Sequence, residues 1–332
     1  MRISRFDHET ATEADIAAMF AVKSGAAAVD RPADPPLLLA DTATTIRNSR
    51  PDRSRPHFLA RAGDDVLGGA VLWLSLADNL HMGLLGLRVH PDHRRRGAGT
   101  ALLRDVVGVM AELGRPVLLT EFDAGGPGDG FATAFGFRLV QTDRLSLLRL
   151  SDVDWADLEV TAAAKHPGYR IEAWTGSAPD ELIAGYAAAK SAMNDAPRDD
   201  ADFGDFLYTP ESIRADEEML AVLGESRVVV AVHEETGAVA AFTEILGRRS
   251  YRADQEDTAV VPAHRGSGLG LWIKSDMLLR LRAERPDVTE VITGNAATNR
   301  YMLAINDRLG FHPWIEIHGW QADVAALTAR LG

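Results

Sequence analysis

The sequence predicts an α/β protein made of two similar domains in tandem, each with a central sheet flanked by helices. The first observation is a repeated loop, because VHPDHRRRGAG at 89–99 returns as VVPAHRGSGLG at 260–270. The second is its spacing, since Arg94 and Arg265 lie 171 positions apart in a chain of 332 residues. The third is that both halves place strand patterns, the loop, a helix pattern and a further strand in one order. A repeat of this period indicates a duplicated domain.

The elements around each loop follow from their apolar patterns. Aliphatic-rich segments bounded by turn residues predict the strands VLGGAVLWLSL, HMGLLGLRV and PVLLTEF in the first half, and SRVVVAVHE, GAVAAFTEIL, QEDTAVV and VTEVIT in the second. Helical spacing follows each loop, in GTALLRDVVGVMAELG and GLWIKSDMLLRLRAERP. A polar, small-residue-rich stretch with Pro167 and Gly168 predicts a linker at 151–170. The predicted domains are therefore 1–150 and 171–332, both of ordinary size.

Composition excludes several classes of function. Cys is absent, so disulfides, thiolate metal sites and a Cys nucleophile are excluded. The net charge of −13 argues against non-specific nucleic-acid binding, which needs a basic surface. No apolar run approaches the ~18 residues of a membrane span, and the first residues lack a signal-peptide pattern. We therefore expect a cytoplasmic protein that binds neither membrane nor nucleic acid.

The repeated loop has the chemistry of an anion site. A glycine-rich turn between a strand and a helix presents backbone N–H groups at the positive end of the helix dipole. The arginines beside it can pair with phosphate. Neither copy has the Gly-Lys-Ser/Thr of a Walker A loop, and neither has the third glycine of a dinucleotide fingerprint, where Leu102 and Ile273 stand instead.

Both copies fit Arg-x-x-Gly-x-Gly, at Arg94, Gly97 and Gly99 and again at Arg265, Gly268 and Gly270. This motif resembles the pyrophosphate loop of the GNAT acyltransferases, and the resemblance extends over essentially the whole chain as a tandem pair. It implies two GNAT-like domains, each with a central mixed, mostly antiparallel sheet, and acetyl-CoA or another acyl-CoA as cofactor, without a metal. His90 and His93 flank Pro91 within the loop, which argues against a metal pair.

The resemblance also assigns cofactor-binding positions. In the first half they are Leu87, Val89, Arg94, Arg95, Arg96, Gly97, Ala98, Gly99 and Thr100; in the second they are Val260, Arg265, Gly266, Ser267, Gly268, Leu269, Gly270, Asn295, Asn299 and Met302. The family mechanism implies that the loop strand separates from the next parallel strand, that the pantetheine arm enters the gap, and that a backbone N–H near Val260 polarises the thioester carbonyl.

The two halves differ after the loop. GNAT domains usually continue with Asn-x-x-Ala-x-x-x-Tyr, and the second half reads TGNAATNRYMLAINDRLGF. The spacing of Asn295, Asn299, Met302 and Asn306 predicts one helical face. Asn306 takes the place of the usual Tyr, although an amide cannot release a proton as a phenol can. In the first half Ala132 occupies that place, so we expect the second domain to be catalytic.

Candidate catalytic and acceptor residues also fall in the second half. An attacking amine needs a base, and the carboxylates available are Glu244, Glu256 and Asp257. Of these we favour Glu244 and Asp257. Asn306 is the third catalytic candidate. Strand alternation places Asp257 on the face opposite to Glu256. Asn194 and Asp195, after a predicted helix, are candidates for binding a cationic amine.

These patterns leave more than one function open. The first is an N-acyltransferase that moves acetyl from acetyl-CoA to a primary amine of a small molecule by direct attack in a ternary complex. The alternatives are a CoA-binding regulatory or structural module without acyl transfer, an O-acyltransferase, and an acyltransferase on a protein amine. The acceptor, the acyl chain and the choice between monomer and homodimer are not determined by the sequence.

Overall fold

The computed structural model describes all residues from 1 to 332, in thirteen strands and ten α-helices. The elements up to residue 149 are β1 Arg2–Phe6, α1 Glu13–Asp30, α2 Leu39–Arg47, β2 Arg53–Ser54, β3 His57–Ala62, β4 Asp65–Ser75, β5 Met82–Val89, α3 Ala98–Glu112, β6 Val117–Asp123, α4 Pro127–Phe135 and β7 Arg138–Arg149. The remaining elements are α5 Trp155–Ala162, β8 Tyr169–Thr175, α6 Asp180–Lys190, α7 Pro210–Leu223, β9 Gly224–His233, β10 Val239–Arg248, β11 Arg252–Val260, α8 Leu269–Glu284, β12 Glu290–Ala296, α9 Arg300–Arg308, β13 His312–Asp323 and α10 Val324–Leu331.

The first compact unit comprises residues 1–142, 200–204 and 317–332. Its strands are ordered β1-β3-β4-β5-β6-β13, and every neighbouring pair is antiparallel except β5 with β6. Helix α3 packs on one face through an apolar side that includes Leu102, Leu103, Val106 and Met110, all without solvent exposure. Helix α1 begins at a capping box in which Thr12 and Asp15 bond each other's backbone N–H.

The second unit comprises residues 143–199 and 205–316. Its strands are ordered β7-β12-β11-β10-β9-β8, and only β11 and β12 run parallel. Helix α8 takes the place that α3 has in the first unit and buries Trp272, Ile273, Met277 and Leu278 against the sheet. The two units thus repeat one architecture, and the predicted fold class, with mixed, mostly antiparallel sheets flanked by helices, is confirmed.

The boundaries of the units differ from those expected from the sequence. Residues 143–149 of β7 pair with β12 and belong to the second unit, whereas residues 317–323 of β13 pair with β6 and belong to the first. Helix α10 also joins the first unit, where the Arg104 guanidinium donates to the carbonyl of Leu331 at 2.8 and 3.0 Å. Each unit therefore takes its last strand from the end of the other half, so 1–150 and 171–332 are not the units of folding.

The expected linker at 151–170 is not an extended segment. It contains α5, whose N-cap Asp154 accepts from the Asp157 N–H. The carbonyl at the last residue of α5, Ala162, accepts a 2.9 Å hydrogen bond from the Trp272 indole of α8. His166 stacks on Trp272 with 4.4 Å between ring centroids. These contacts make the segment part of the second unit.

Candidate active site

In the second unit, two parallel strands separate halfway along their length. β11 pairs with β12 only from Arg252 to Gln255, yet it continues to Val260. At the point of separation the Thr293 Oγ1 of β12 donates a 3.4 Å hydrogen bond to the Gln255 carbonyl. Beyond this point the facing edges have no partner in the sheet, so a cleft opens with backbone groups along its walls.

The first unit has the same separation. β5 and β6 pair only as far as Leu85 and Thr120, and the Thr120 Oγ1 donates a 2.9 Å hydrogen bond to the Leu85 carbonyl. Leu87 and Val89, both assigned to cofactor binding from the sequence, lie on the separated part of β5. Their side chains pack against the core of the unit, so only their backbone is available to a ligand in the cleft.

One backbone N–H in the second cleft has a defined direction. The N–H of Val261 donates to the Ala240 carbonyl on β10. Because N–H directions alternate along a strand, the N–H of Val260 points to the other edge, where β12 has moved away. Val260 thus has the geometry expected of a donor to a thioester carbonyl, as the sequence predicted.

The loops that follow β5 and β11 have matching backbones. Each passes through a short 3-10 turn, at Pro91–His93 and Pro262–His264, before its helix begins. Gly97 and Gly268 are the N-cap residues, with φ of 85° and 76°, values that a side chain would strain. Both residues are exposed, and the free N–H groups of the first helical turn lie behind them. This geometry suits an anion, as the motif predicted.

Arg94 and Arg265 brace these loops. The Nε of Arg94 donates to the Val89 carbonyl at 3.3 Å, and its two terminal nitrogens bond Asp30 at 2.9 and 2.5 Å. The Nε of Arg265 donates likewise to the last carbonyl of β11 at 3.0 Å, and its NH2 bonds Asp195 at 2.7 Å. Each guanidinium is thus held by a carboxylate and fixes the loop, and the contact of both arginines with phosphate stays a prediction.

The two loops offer different groups to an anion. Arg95 and Arg96 in the first loop are exposed and make no hydrogen bond or ion pair. Arg95 has a φ of 63°, in the left-handed region where the second loop has Gly266 with a φ of 82°. The second loop therefore presents backbone N–H groups and the exposed Ser267, whereas the first adds two free guanidinium groups.

The remaining loop positions serve packing. Ala98 and Leu269 are buried at the start of their helices. A Cβ at Gly99 would lie 3.0 Å from the Phe131 ring of α4, and one at Gly270 would lie 3.1 Å from Ile305 of α9. These glycines let two helices approach each other. Thr100, also assigned to the cofactor, is half-buried in the first turn of α3.

The predicted Asn-rich helical face is divided between a strand and a helix. Asn295 lies in β12, and α9 begins only at Arg300, with Asn299 as its N-cap accepting from the Met302 N–H at 3.2 Å. Met302 is buried in the core. The prediction of one helical face was wrong for Asn295, because β12 continues past the point at which β11 leaves it.

Asn306 forms a buried chain of hydrogen bonds. Its Nδ2 donates to the Asn295 Oδ1 at 2.7 Å, and its Oδ1 accepts from the Lys274 Nζ of α8 at 2.8 Å. Asn306 has no solvent exposure, so it orients the half-buried Asn295. The catalytic role favoured for Asn306 therefore becomes a positioning role. Burial lowers the pKa of Lys274 from 10.5 to about 7.

A buried ion cluster lies on the opposite face of the sheet. Lys190, at the end of α6, bonds Glu244 of β10 at 2.6 Å and Asp257 of β11 at 2.9 Å, and Tyr186 also donates to Glu244. Burial opposes the charge on Lys190, but the two carboxylates outweigh it, so its pKa is raised. These contacts bring the candidates Glu244 and Asp257 together, and both are paired with the single ammonium group of Lys190.

A β-bulge in β11 changes the expected alternation. Thr243 pairs with Thr258 and Ile245 with Gln255, so Glu244 alone opposes both Glu256 and Asp257. The extra residue reverses the alternation of side chains along β11. Ala253 and Val260 pack in the same core, although their odd spacing would place them on opposite faces of a regular strand. The prediction that Glu256 and Asp257 face opposite sides was therefore wrong.

Of the three candidate carboxylates, Glu256 has the properties that best suit a general base. Its side chain forms no hydrogen bond, and the residue is exposed on the bulge. The residue keeps solvent-exposed surface, but neighbouring groups desolvate its carboxyl group. This desolvation, together with the charges of Asp254 and Asp257, raises its pKa from 4.5 to about 7. A carboxylate with this pKa can accept a proton at neutral pH and is positioned beside the separated strands. The sequence named Glu256 but favoured its neighbours, since neither the bulge nor Lys190 was visible in the pattern.

The candidate acceptor residues Asn194 and Asp195 make contacts within the chain. The amide of Asn194 both donates to the Phe206 carbonyl and accepts from the Phe206 N–H, each at 3.0 Å. Asp195 holds Arg265, as described above. Both residues therefore shape the segment between α6 and α7, and their contact with an acceptor remains a prediction.

The first unit lacks the candidate carboxylates of the second. β4 and β5 pair without a register shift from Gly68 with Val89 to Trp73 with Leu84, so there is no bulge. Val71 and Gly86 oppose each other where the second unit has Glu244, Glu256 and Asp257. Ala132 is fully buried in α4. This difference agrees with the expectation that the chemistry belongs to the second half.

No group of three or more His, Asp or Glu side chains is arranged so that it could hold a metal ion. None of the ten helices combines the length and the apolar character needed to cross a membrane.

Residues 27–137 match the family model described as the acetyltransferase (GNAT) family. Over its full length the chain has the fold of tandem GNAT proteins. No protein with a curated description matches its sequence.

Three solved structures illustrate the likeness. The chain is similar to a tandem GNAT protein from the clavulanic acid biosynthesis pathway, with a TM-score of 0.80 and 24% identity over 97% of this chain and 98% of that one. A GCN5-related N-acetyltransferase from Sphaerobacter thermophilus has a TM-score of 0.68 and 16% identity over 97% and 96%. A GCN5-related N-acetyltransferase from Anabaena variabilis has a TM-score of 0.54 and 9% identity over 97% and 73%.

Proposed function

We propose that this protein is an acetyl-CoA-dependent N-acetyltransferase that acts on a primary amine of a small molecule, with its chemistry in the second unit. The observation that carries the proposal is Glu256, a carboxylate with a pKa of about 7 on a bulge beside the separated strands. A protonated amine must lose a proton before it attacks a thioester, and Glu256 can accept that proton directly or through a water.

The geometry supports a binding mode for the cofactor. The N–H groups at the start of α8 and the αL residues Gly266 and Gly268 would hold the pyrophosphate. The pantetheine arm would replace the missing strand partner in the cleft between β11 and β12. The Val260 N–H, which points into that cleft, would donate to the thioester carbonyl as negative charge develops on its oxygen.

The acceptor would approach from the side of the ion cluster. Glu244, Asp257 and Lys190 together carry one net negative charge beside Glu256, which suits a cationic amine. Direct attack in a ternary complex then needs no nucleophile from the protein. The chain has no Cys, and the candidate residues at the bulge are carboxylates.

Replacing Glu256 with Gln is expected to lower kcat/KM by about 10²–10⁴-fold, because the amide cannot take up the proton. In the unchanged protein kcat/KM should rise with pH through about 7, as Glu256 loses its proton, and the variant should lack this dependence. The measurement is thiol release from acetyl-CoA over a panel of primary amines between pH 5.5 and 9.

The matched control is Glu235→Gln, an exposed carboxylate in the turn between β9 and β10, which should leave the pH profile unchanged. A Glu256→Gln variant with full activity and the same profile would reject Glu256 as the base. If acetyl-CoA raises the melting temperature but no amine releases thiol, the chain is instead a CoA-binding module.

Replacing Gly268 with Val tests the assignment of the chemistry to the second loop. A branched side chain is strained at a φ of 76°, so the start of α8 should shift and turnover should fall about a hundredfold. Gly237→Val places the same side chain at a φ of 72° in an open turn and controls for strain alone. If turnover survives Gly268→Val but is lost in Gly97→Val, the chemistry belongs to the first unit.

A further inference from the structure

One face of the first sheet carries a group of three cations, Lys23 of α1, Arg55 before β3 and Arg88 of β5. Burial lowers the pKa of Lys23, and the charges of Arg88 and Arg55 lower it further. Lys23 and Arg88 make no hydrogen bond or ion pair, and Arg55 donates only to the Asn48 carbonyl. We call these three residues the cation cleft.

The register of the sheet places the cation cleft under α1. Arg88 lies directly opposite Gly69 on β4, and a Cβ on Gly69 would lie 2.8 Å from the Met19 sulfur of α1. Lys23 follows Met19 by one helical turn, so it projects from the same side of α1 toward the sheet. His57 lies at the start of β3 on that face, and its buried Nδ1 has no partner.

The nearest carboxylates are already neutralised by other arginines. Asp30 is held by Arg94 through two hydrogen bonds, at 2.9 and 2.5 Å. Asp123 is held by Arg31, whose Nε donates at 2.8 Å and whose NH2 also bonds it. Asp123 and Asp30 therefore balance only part of the charge of the cation cleft, because burial and the charge of Arg31 still lower the pKa of Arg88.

At the corresponding positions of the second unit, the positive charge is balanced by carboxylates. Val89 and Val260 both end the strand before the loop, so Arg88 corresponds to Ala259, and Val71 corresponds to Glu244. In the second unit the lysine from the equivalent helix is paired with two carboxylates. In the first unit the helix also carries a lysine, Lys23, but the carboxylates are absent, and Arg88 stands where the second unit has Ala259.

Placing several cations in a protein cleft without counter-charges costs free energy, and it is compensated when an anion binds. Arg88 is exposed and Lys23 and Arg55 are half-buried, so a small molecule can reach all three. We propose that the cation cleft binds the carboxylate or phosphate group of a small ligand. This site is distinct from the cofactor loop at 94–100 and does not depend on the proposed function.

The test is a titration of the full chain with succinate and, separately, with inorganic phosphate, followed by calorimetry and by melting temperature. We expect saturable binding of at least one anion, and the preferred one identifies the ligand group. Lys23→Met and Arg88→Gln should each raise Kd about tenfold or more, because a charge-assisted hydrogen bond is lost. Lys23→Met should also melt no lower than the unchanged protein without anion, since it removes an unpaired buried charge.

Two controls separate the cation cleft from other cationic surfaces. The double variant Arg95→Gln, Arg96→Gln removes the free arginines of the cofactor loop, and Arg2→Gln removes an exposed arginine of β1. Both should bind the anion as the unchanged protein does. Loss of binding in the loop variant alone, unchanged binding in Lys23→Met, or no saturable binding of either anion would each overturn the proposal.

Discussion

Replacing Lys190 with Met is expected to lower the free energy of unfolding of the second unit by about 3–5 kcal/mol. The variant leaves Glu244 buried and Asp257 half-buried beside each other without the ammonium that both bind, at 2.6 and 2.9 Å. It also removes a cation that lies 5.4 Å from the Phe242 ring centroid, within the range of a cation–π interaction. Urea unfolding at pH 7 measures the change.

The chain contains its own control for this experiment. Of its four lysines, only Lys165 is exposed, and Lys165→Met should change the free energy of unfolding by less than about 0.5 kcal/mol. The double variant Lys190→Met, Glu244→Leu should recover part of the lost free energy of unfolding, because it also removes the Glu244 carboxylate that has lost its partner. Equal stability of the Lys190→Met and Lys165→Met variants would mean that the ion cluster contributes nothing to the fold.

Replacing Lys274 with Met is expected to change how stability depends on pH. Lys274 has a pKa of about 7 in the folded protein against 10.5 when unfolded, so between these values the unfolded chain binds more protons. Its contribution to the free energy of unfolding therefore rises by up to about 1.4 kcal/mol per pH unit from pH 7 to 10.5, about 5 kcal/mol in total. The Lys274→Met variant should lack this part of the increase.

The comparison is made by urea unfolding at pH 7, 8, 9 and 10, with Lys165→Met as the matched variant. Burial also lowers the pKa of Lys23, to about 8, so Lys23 adds a similar rise of the free energy of unfolding with pH. This rise belongs to the first unit and is present in all three proteins. The difference between the Lys274→Met variant and the other two isolates the buried lysine. Parallel curves for all three would show that Lys274 keeps its charge in the folded state.

The sequence predicted the parts of the molecule that depend on local patterns. The repeat, the strands beside each loop and the glycine-rich turns that open a helix at Gly97 and Gly268 follow from composition and spacing within a few residues. The anion-binding geometry of the loops follows from the same glycines, because a strand, a turn and a helix start are all local features.

The rest depends on contacts between distant residues. The bulge at Glu256 arises from the register between β10 and β11, which alternation along one strand cannot show. The ion pair of Arg265 could not be predicted from the motif, because its partner, Asp195, lies 70 residues away in the chain. Lys190 and Lys274 have no distinctive neighbours in sequence, and their roles come from burial and from partners that are distant in the chain. Candidate catalytic residues were therefore harder to predict than the cofactor loop.

The shared strands have a consequence for how the chain is made. The sheet of the first unit is completed by β13, and α3 is covered by α10, which lie at 312–331. During synthesis the edge of β6 therefore remains unpaired until residues 312–331 have left the ribosome. Contacts of such long sequence separation form slowly. A premature stop near residue 310 would leave the amino-terminal unit incomplete, even though nearly all of its own sequence had been translated.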